Sequence, residues 1–389
     1  MSDQQTDTLT SSNNKSQQRK KGLSIFILLL LLISIGSAAY WYLFIKGFEE
    51  TEDAYVSGNQ VMVSAQVAGN ISKINVDNMD PVLAGDVLLE LDDTNAKLSF
   101  EQAKSNLANA VRQVSQLNYT VKQLKSAVRA NEITLAQAQG NLNRRVQLVK
   151  DGAIDKESFQ HAKEAVELAK ANLTTSQNQL GANQALLLDG PLSEQPQIQS
   201  AVSNLKQAWL NLERTKIRSP IKGYVARRNA QVGQAVSVGG ALMAVVTTDQ
   251  MWLDANFKET QLTHMRIGQP AEIHFDLYGK DKTFDGKVVG IEMGTGSAFS
   301  LLPAQNATGN WIKVVQRVPV RIQLDPQQLA ENPLRIGLSA TVKVNVTDSQ
   351  GKTLRDQAPA TTLYSTNVLQ YDESAVNNLI ESIIRDNSY

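Results

Sequence analysis

The feature that most constrains this chain is a long stretch that carries no proline. No proline occurs between Pro81 and Pro191, although the chain contains ten. In its second half, apolar or small side chains repeat at strictly alternating steps of three and four residues. A period of 3.5 residues is typical of a helix that presents one seam to a partner helix. The positions are Phe159, Ala162, Val166, Ala169, Leu173, Ser176, Leu180, Asn183 and Leu187.

The first half of the stretch has a similar seam with two uneven steps, at Leu107–Val111 and Val114–Leu117. Between the halves lie residues 150–155, in which Gly152 suits a left-handed turn and Asp155 suits a helix N-cap. We therefore predict a coiled-coil hairpin over 95–212, with its tip at 150–155. An ordinary helical bundle is the alternative, but bundles usually have wider apolar faces.

The outgoing helix is predicted over 95–149, which is about 55 residues or roughly 80 Å. The returning helix is predicted to reach about Leu188. It then breaks over 189–196, where Pro191 and Pro196 lie, and a further heptad run continues to Leu212. The seam contains alanine, serine, asparagine and arginine, which bury little apolar surface. We therefore expect the hairpin to need contacts with other segments for its stability.

Composition excludes several classes of function. The formal net charge is zero and there are no cysteines. A basic surface for nucleic acid, disulfides, thiol catalysis and cysteine–zinc sites are therefore not expected. The three histidines, His161, His264 and His274, do not have metal-ligand spacing, and no nucleotide-binding or hydrolase motif is present. We predict no enzyme activity, no cofactor and no metal site.

The N-terminal region predicts a membrane anchor. Residues 1–22 form a polar tail that ends with the cluster Arg19-Lys20-Lys21, and residues 23–45 contain no charge. As a helix this span covers roughly 34 Å, enough for a bilayer core. The basic side is expected in the cytoplasm and the bulk of the chain outside it. The alternative is a cleaved signal peptide, because residues 37–39 resemble a cleavage site.

Two stretches on either side of the predicted hairpin repeat each other. Each contains two glycines spaced 16 residues apart. We predict that these glycines, Gly69 and Gly85 in residues 46–94 and Gly223 and Gly239 in residues 213–250, lie at turns with positive φ. Neither half is large enough to bury a core alone, so we expect the two to form one small β-sandwich.

The repeat resembles the half-motifs of lipoyl and biotinyl carrier domains. Those carriers bear a modified lysine at the turn between their halves. Here that turn is 91–94, and the nearest lysine, Lys97, lies in the predicted helix. A carrier function is therefore not expected.

Together with the anchor and the hairpin, this split domain resembles the periplasmic adaptor family, also called membrane fusion proteins. Three segments resemble its EmrA-type multidrug-efflux branch, within the HlyD family, namely 48–56, 254–261 and 294–322. The resemblance implies an elongated fold of mixed α and β structure. Its parts would be an N-terminal transmembrane helix, a split lipoyl-like β-sandwich, a long coiled-coil hairpin and an antiparallel β-barrel domain.

The resemblance also implies the partners and the location. They are a major-facilitator-type drug transporter in the bacterial inner membrane, a TolC-like outer-membrane channel and further copies of the chain in a hexamer. Small amphipathic drugs would be the cargo, and the chain would cross the inner membrane once. Two alternatives stay open, namely a type I secretion adaptor for an ABC protein exporter and a structural envelope tether.

The resemblance implies a docking site at the hairpin tip. Adaptors that dock onto TolC-type channels often carry an arginine, a leucine four residues later and a serine seven residues after that. Here the spacing selects Arg144, Leu148 and Asp155. Aspartate, like serine, can cap a helix, but it adds a negative charge.

From residue 251 to 346 the apolar period becomes two, which predicts the strands of the barrel. A charge-free loop within it carries Phe299, Leu301 and Leu302, which either cover the barrel's own core or contact the transporter or a neighbouring subunit. Residues 347–389 form a polar tail that ends in an amphipathic helix, expected to pack on the protein itself or on the transporter. Its apolar positions are Val376, Leu379, Ile380, Ile383 and Ile384.

Overall fold

The computed structural model describes residues 13–40, 47–279, 281–296, 298–299, 315–357 and 362–388. The helices are α1 (Asn13–Tyr40), α2 (Thr94–Lys150), α3 (Lys156–Gln184), α4 (Pro196–Glu213), α5 (Pro326–Glu331) and α6 (Ser374–Asn387). The strands are β1 (Phe48–Ser64), β2 (Gly69–Ile74), β3 (Pro81–Val82), β4 (Val87–Leu91), β5 (Lys216–Arg218), β6 (Gly223–Arg228), β7 (Ala235–Val236), β8 (Ala241–Lys258), β9 (Pro270–Phe275), β10 (Phe284–Ile291), β11 (Arg317–Leu324) and β12 (Ser339–Asn345).

The chain divides into two compact units. One unit consists of Met1–Val61 and Val246–Ser365, and the other of Met62–Val245 and Thr366–Tyr389. Across the described ranges, no helix combines the length and the apolar character that a membrane crossing needs. The anchor predicted over 23–45 reaches into 41–46, which lie outside the described residues, so it stays a prediction.

The first unit is built on a closed antiparallel barrel. Its strands follow the order β1-β12-β9-β10-β11-β8, and a pairing of β1 with β8 closes the ring. Alternate side chains of these strands point inward, as the period of two predicts. Phe257, Phe275 and Phe284 are fully buried in the core, and the last two rings meet edge to face with centroids 4.9 Å apart. The predicted barrel is therefore confirmed.

The barrel takes one strand that the sequence pattern did not assign to it. Phe48 of β1 pairs with Asn345 and Tyr55 pairs with Ser339, both in β12. The sequence analysis assigned these residues to the first half of the repeat, residues 46–94. The difference arises because β1 is one continuous strand of 17 residues, and alternation along a strand does not reveal which neighbours it pairs with.

In the second unit the two repeated halves share one hydrophobic core. Leu88 and Leu89 come from the first half, and Leu242 and Met243 from the second, and all four are at most 1% exposed. The halves also pair directly, through β2 with β7 and through β3 with β6. Each half thus completes the core of the other.

The prediction of positive φ at the four repeat glycines is correct for two of them and wrong for the other two. Gly85 has φ +96° and Gly239 has φ +83°. Gly69 and Gly223 instead begin strands β2 and β6 and have no positive φ. A Cβ atom added at Gly69 would lie 3.6 Å from the side chain of Leu91, which is an ordinary packing distance. The spacing of the repeat therefore identified equivalent positions but not their conformation.

The helices of the second unit form the predicted hairpin. Helix α2 is 57 residues long, and Ala162, Val166 and Ala169 of α3 are buried along the seam. Asn131 of α2 donates a hydrogen bond to the hydroxyl of Ser176 of α3 at 2.7 Å, so two of the polar seam positions pair with each other.

Helix α3 ends at Gln184 rather than at the predicted Leu188. The side chain of Gln195 bonds to both the amide and the carbonyl of Leu188, at 3.0 and 2.8 Å. These two bonds satisfy the backbone groups of Leu188, which no longer have helical partners. They therefore stabilise a non-helical segment where the heptad pattern predicted that the helix continues.

Near the base of the hairpin, α2 packs against two further helices. Leu107 and Val111 of α2, Ile198 and Leu205 of α4 and Val376 of α6 are all at most 2% exposed in one cluster. Here α2 buries adjacent positions, since both Ala110 and Val111 are covered. Its wider buried face accounts for the uneven heptad steps. The sequence analysis expected the C-terminal amphipathic helix to pack either on the protein itself or on the transporter. In the structure this helix, α6, packs on the protein itself.

The glycine conformations lead to a prediction about stability. Gly239→Ala should reduce the free energy of unfolding by about 1 kcal/mol, because an L-residue is strained at positive φ. No atom lies within 4 Å of the added Cβ at Gly239, so the loss would come from the backbone alone. Gly69→Ala is the matched control and should be neutral or slightly stabilising. Thermal unfolding of the two purified variants measures this, and equal losses would contradict it.

Candidate functional site at the hairpin tip

The chain reverses at the tip through a glycine. Gly152 has φ +69°, and its N–H donates to the carbonyl of Val149 at 3.1 Å. The N–H of Ala153 donates to the carbonyl of Leu148 at 2.8 Å. This pair of bonds is the Schellman arrangement, which satisfies the last carbonyl groups of a helix and needs a left-handed residue. The end of α2 is therefore fixed by backbone hydrogen bonds.

Asp155 is the N-cap of the returning helix, α3. Its carboxylate accepts a hydrogen bond from the N–H of Ser158 at 2.5 Å and another from the Ser158 hydroxyl at 3.1 Å. The backbone bond from Ser158, followed by the side-chain bond, lowers the pKa of Asp155 below its ordinary value. The tip therefore carries a fixed negative charge at neutral pH, and the charge also suits the N-terminal end of the helix dipole.

Arg144 and Leu148 lie one helical turn apart on α2, and both are exposed. Leu148 leaves 42% of its surface open. Among the described residues, the guanidinium of Arg144 donates to the side chain of Asn141 on its own helix. Arg144 and Leu148 can therefore contact a second protein without breaking any bond between α2 and α3.

Arg145 has a different role, which the sequence analysis did not identify. Its Nη1 donates to the carbonyl of Ser158 at 2.9 Å and so joins the end of α2 to the start of α3. The signal was present, because Arg145 occupies a seam position in the heptad pattern. A charged residue in a seam is expected to find a partner on the facing helix.

The tip offers contact surfaces rather than reactive groups. His161 lies between Glu157 and Glu164 on the exposed face of α3, with ring nitrogens 3.6 and 3.7 Å from their carboxylate oxygens. Within the part of the chain that the structure describes, no three histidine or carboxylate side chains are placed to hold a metal ion. The tip therefore presents an exposed cation, an apolar side chain and a capped carboxylate.

The second predicted contact, in the barrel loop, is only partly described. Phe299 is 72% exposed. Leu301 and Leu302 lie outside the described residues. A role of this loop in contacting a transporter or a neighbouring subunit stays a prediction.

A helical hairpin with an exposed tip, inserted between two halves of one β-core and followed along the chain by a closed barrel, defines the class of membrane fusion adaptors. Two family models match the chain. One describes the EmrA alpha-helical hairpin domain and covers residues 94–215. The other describes an AAEA-like beta-barrel domain and covers residues 250–345.

Two relatives agree with these matches. The chain is 77% identical over 357 residues to the multidrug export protein EmrA of Haemophilus influenzae, with 92% of each chain covered. It is 50% identical over 355 residues to the protein of the same name in Escherichia coli K12, with 91% of each covered. A solved structure of the periplasmic adaptor protein EmrA covers 77% of this chain and 98% of its own, at 20% identity and a TM-score of 0.41.

The chain belongs to the EmrA-type membrane fusion adaptors of the HlyD family. Membership rests on the sequence relatives, of which the first spans nearly the whole chain.

The cap at Asp155 leads to a testable prediction. Asp155→Ala removes the acceptor for the Ser158 amide, so the first turn of α3 should fray and this amide should exchange with solvent several-fold faster. Asp155→Ser is the matched control, because it keeps an acceptor and removes the charge. Hydrogen exchange at neutral pH measures the difference, and equal rates in all three proteins would contradict the cap.

The same contact predicts a pH dependence in the unmodified protein. Because folding lowers the pKa of Asp155, the carboxylate stabilises the tip fully above the ordinary aspartate pKa of about 3.9. The contribution is lost as the pH falls through the lower folded pKa. An NMR titration of the Asp155 carboxyl should therefore show a midpoint below that of the protein in urea.

Proposed function

We propose that this chain is the adaptor subunit of a tripartite multidrug efflux pump, linking an inner-membrane drug transporter to an outer-membrane channel. One observation carries the proposal, namely 77% identity to a multidrug export protein over 92% of both chains. At this identity and coverage we expect the two proteins to share their fold and their function.

The partners follow from the family. The transporter is of the major-facilitator type, the channel is TolC-like, and six copies of the adaptor assemble into a ring. Residues 23–45 anchor each copy in the bacterial inner membrane by a single span, with the tail 1–22 in the cytoplasm and the remainder in the periplasm. Support for the anchor comes from the absence of charge over these 23 residues and from the basic cluster Arg19-Lys20-Lys21 before them.

The division of the chain into working parts is also part of the proposal. The lipoyl-like halves, predicted over 46–94 and 213–250 apart from the part of β1 that pairs with β12, pack between neighbouring copies. The barrel, predicted over 251–346 and completed by β1, faces the transporter. The coiled-coil hairpin over 95–212 extends from the lipoyl-like domain toward the channel. The helix α6 of the tail predicted over 347–389 packs at the base of the hairpin.

The tip docks on the channel through Arg144, Leu148 and Asp155. Arg144 supplies a charge that a carboxylate or carbonyl of the channel can accept, and Leu148 supplies apolar contact area. The proposal is supported by the exposure of both side chains and by the backbone caps that fix the reversal. Docking would then need little ordering of the tip, which reduces the entropic cost of association.

The mechanism is architectural and not enzymatic. The two relatives bear the name multidrug export protein, and the adaptor's work is to hold two membrane proteins in line. Energy for export comes from the transporter. Small amphipathic drugs are the proposed cargo.

A charge reversal at the tip tests the docking role. Arg144→Glu should lower the tolerance of a complemented deletion strain to small amphipathic drugs at least fourfold, because the channel contact becomes repulsive. Arg129→Glu is the matched control, an exposed arginine on the same helix about 22 Å away. Minimum inhibitory concentrations, compared at equal protein levels on immunoblots, provide the measurement.

The deletion strain itself separates the proposed function from its alternatives. Hypersensitivity to small amphipathic drugs is expected of the efflux adaptor. Failure to export a protein without drug hypersensitivity would instead indicate a type I secretion adaptor. An unchanged export profile with an altered envelope would indicate a structural tether.

Crosslinking in intact cells tests the partner directly. The chain contains no cysteine, so Leu148→Cys would place its only thiol at the tip. An adduct with the outer-membrane channel is expected. Leu168→Cys is the control, an exposed leucine of α3 that lies away from the tip. Adducts formed only between adaptor copies, with drug tolerance intact, would contradict docking through the tip.

A further inference from the structure

One end of the barrel lies close along the chain to the anchor proposed over 23–45. The anchor ends two residues before Gly47, whose carbonyl accepts a hydrogen bond from the N–H of Val346 at 2.9 Å. Two residues of extended chain cover at most about 7 Å. The headgroup layer on each side of a bilayer is itself roughly 5–7 Å thick. A chain anchored at 23–45 therefore holds this end of the barrel in or beside the lipid headgroups.

The strand order brings further residues to the same end. β12 lies beside β1, β9 beside β12 and β10 beside β9. Three spacings between neighbouring strands separate β1 from β10 by at most about 15 Å. Lys287 of β10 pairs in register with Pro270, the first residue of β9. Lys287 thus lies at the end of the barrel that the anchor holds.

The segment that follows β12 crosses this end of the barrel. The N–H of Ile267, in the turn before β9, donates to the carbonyl of Lys352 at 2.9 Å. The Nε of Arg355 donates to the carbonyl of Val289 of β10 at 3.0 Å. Both Lys352 and Arg355 are exposed, so these bonds hold the backbone of the segment in place while its cationic side chains face solvent.

Four cations gather at this end, and we call them the basic rim. They are Arg266, Lys287, Lys352 and Arg355. The segment that carries two of them also carries two carboxylates, those of Asp348 and Asp356, and Asp356 forms an ion pair with Lys352. Four positive charges against two negative ones leave the rim and its segment with an excess of two positive charges. The excess favours an anionic partner.

A surface cavity of about 590 Å³ opens beside the basic rim. Lys352 and Arg355 line it together with the apolar side chains of Ile267 and Leu354. Leu354 leaves 50% of its surface exposed. Cations next to exposed apolar side chains are typical of protein surfaces in the bilayer interface, where the cations meet lipid phosphates and the apolar groups enter below them.

We propose that the basic rim binds the headgroup phosphate of anionic phospholipids in the membrane that holds the anchor. Lys287 and Arg355 bind the phosphate, and Leu354 enters the interface beside it. The inference rests on the anchor of the proposed function, because the short connection to Gly47 is what brings the rim to the headgroups. It goes further in giving the barrel its own contact with lipid, which fixes how the barrel is oriented on the bilayer.

A fluorescent reporter on the full-length protein tests the contact. The chain contains no cysteine, so Thr353→Cys places its only thiol beside the rim, where an environment-sensitive fluorophore can be attached. The protein is reconstituted into vesicles of phosphatidylcholine, with or without one quarter phosphatidylglycerol. Emission should be about twofold higher with phosphatidylglycerol, and this excess should fall in high salt, which screens the attraction.

Thr283→Cys is the matched control. It is also an exposed threonine, and it precedes β10 and so lies at the opposite end of the barrel. Its fluorophore should emit equally in the two kinds of vesicle. Equal emission from Thr353→Cys in the two kinds of vesicle would overturn the proposal.

Flotation of the same vesicles separates this inference from the proposed anchor. Protein that floats with phosphatidylcholine vesicles in high salt is held by the anchor and not by charge. If the protein floats and the reporter at position 353 does not distinguish the lipids, the inference fails while the anchor stands. If the protein does not float, the anchor is wrong and the inference falls with it.

Charge variants in the Thr353→Cys background assign the site. Arg355→Gln combined with Lys287→Gln should remove most of the phosphatidylglycerol-dependent excess, whereas Arg355→Lys, which keeps the charge, should retain it. Arg335→Gln is the control, an exposed arginine between α5 and β12 at the opposite end of the barrel. A full excess in the double variant would show that these cations do not bind the lipid.

Inorganic phosphate decides the source of the anion. Sodium phosphate and sodium chloride at equal ionic strength should reduce the excess equally, because both act by screening. A much larger reduction by phosphate would assign the basic rim to a free anion and overturn the lipid as its partner.

Discussion

The second unit depends on the pairing of two short segments that lie on either side of a helical insertion. Leu89 pairs with Ile217 and Glu90 with Lys216, and the N–H of Leu91 donates to the carbonyl of Thr215 at 2.9 Å. Closing a flexible loop of this length would cost conformational entropy that grows with its length. The hairpin removes most of that cost, because a helix that goes out and returns brings its own two ends together. The helices connect β4 to β5, which pair as antiparallel strands, and so they take the place of the turn in a β-hairpin. The shared β-core forms only when the helices bring these two strands together.

The sequence revealed those parts of the fold that local pattern determines. The hairpin, its reversal and its N-cap were predictable because the heptad period, Gly152 and Asp155 each act within a few residues. The barrel was predictable from alternation in the same way. The pattern did not reveal which strands and helices of the chain pack against each other. β1 joins the barrel, and α2 has a wider buried face where α4 and α6 pack on it, because residues far along the chain complete these contacts.

The same distinction applies to the candidate site. Arg144, Leu148 and Asp155 were selected by spacing, and the structure shows how one of them, Arg144, differs from its neighbour. Arg144 is bound only to its own helix, whereas Arg145, next to it, crosses to Ser158. Residue propensity does not separate two adjacent arginines, but the heptad pattern does, because Arg145 occupies a seam position that faces α3 and Arg144 does not. Likewise the repeat placed four glycines at equivalent positions, but only their backbone neighbours decide which of them need positive φ.

The packing of α6 on α2 and α4 has a consequence for the order in which the protein is made. Val376 and Ile380 belong to the same buried cluster as Leu107 and Leu205, although they are synthesised much later. At about 5–20 residues per second, roughly 10–30 s separate the appearance of Leu205 from that of Val376. During this interval the base of the hairpin exposes apolar surface that nothing from its own chain yet covers. The base of the hairpin is therefore completed late, when α6 has been made and packs on it.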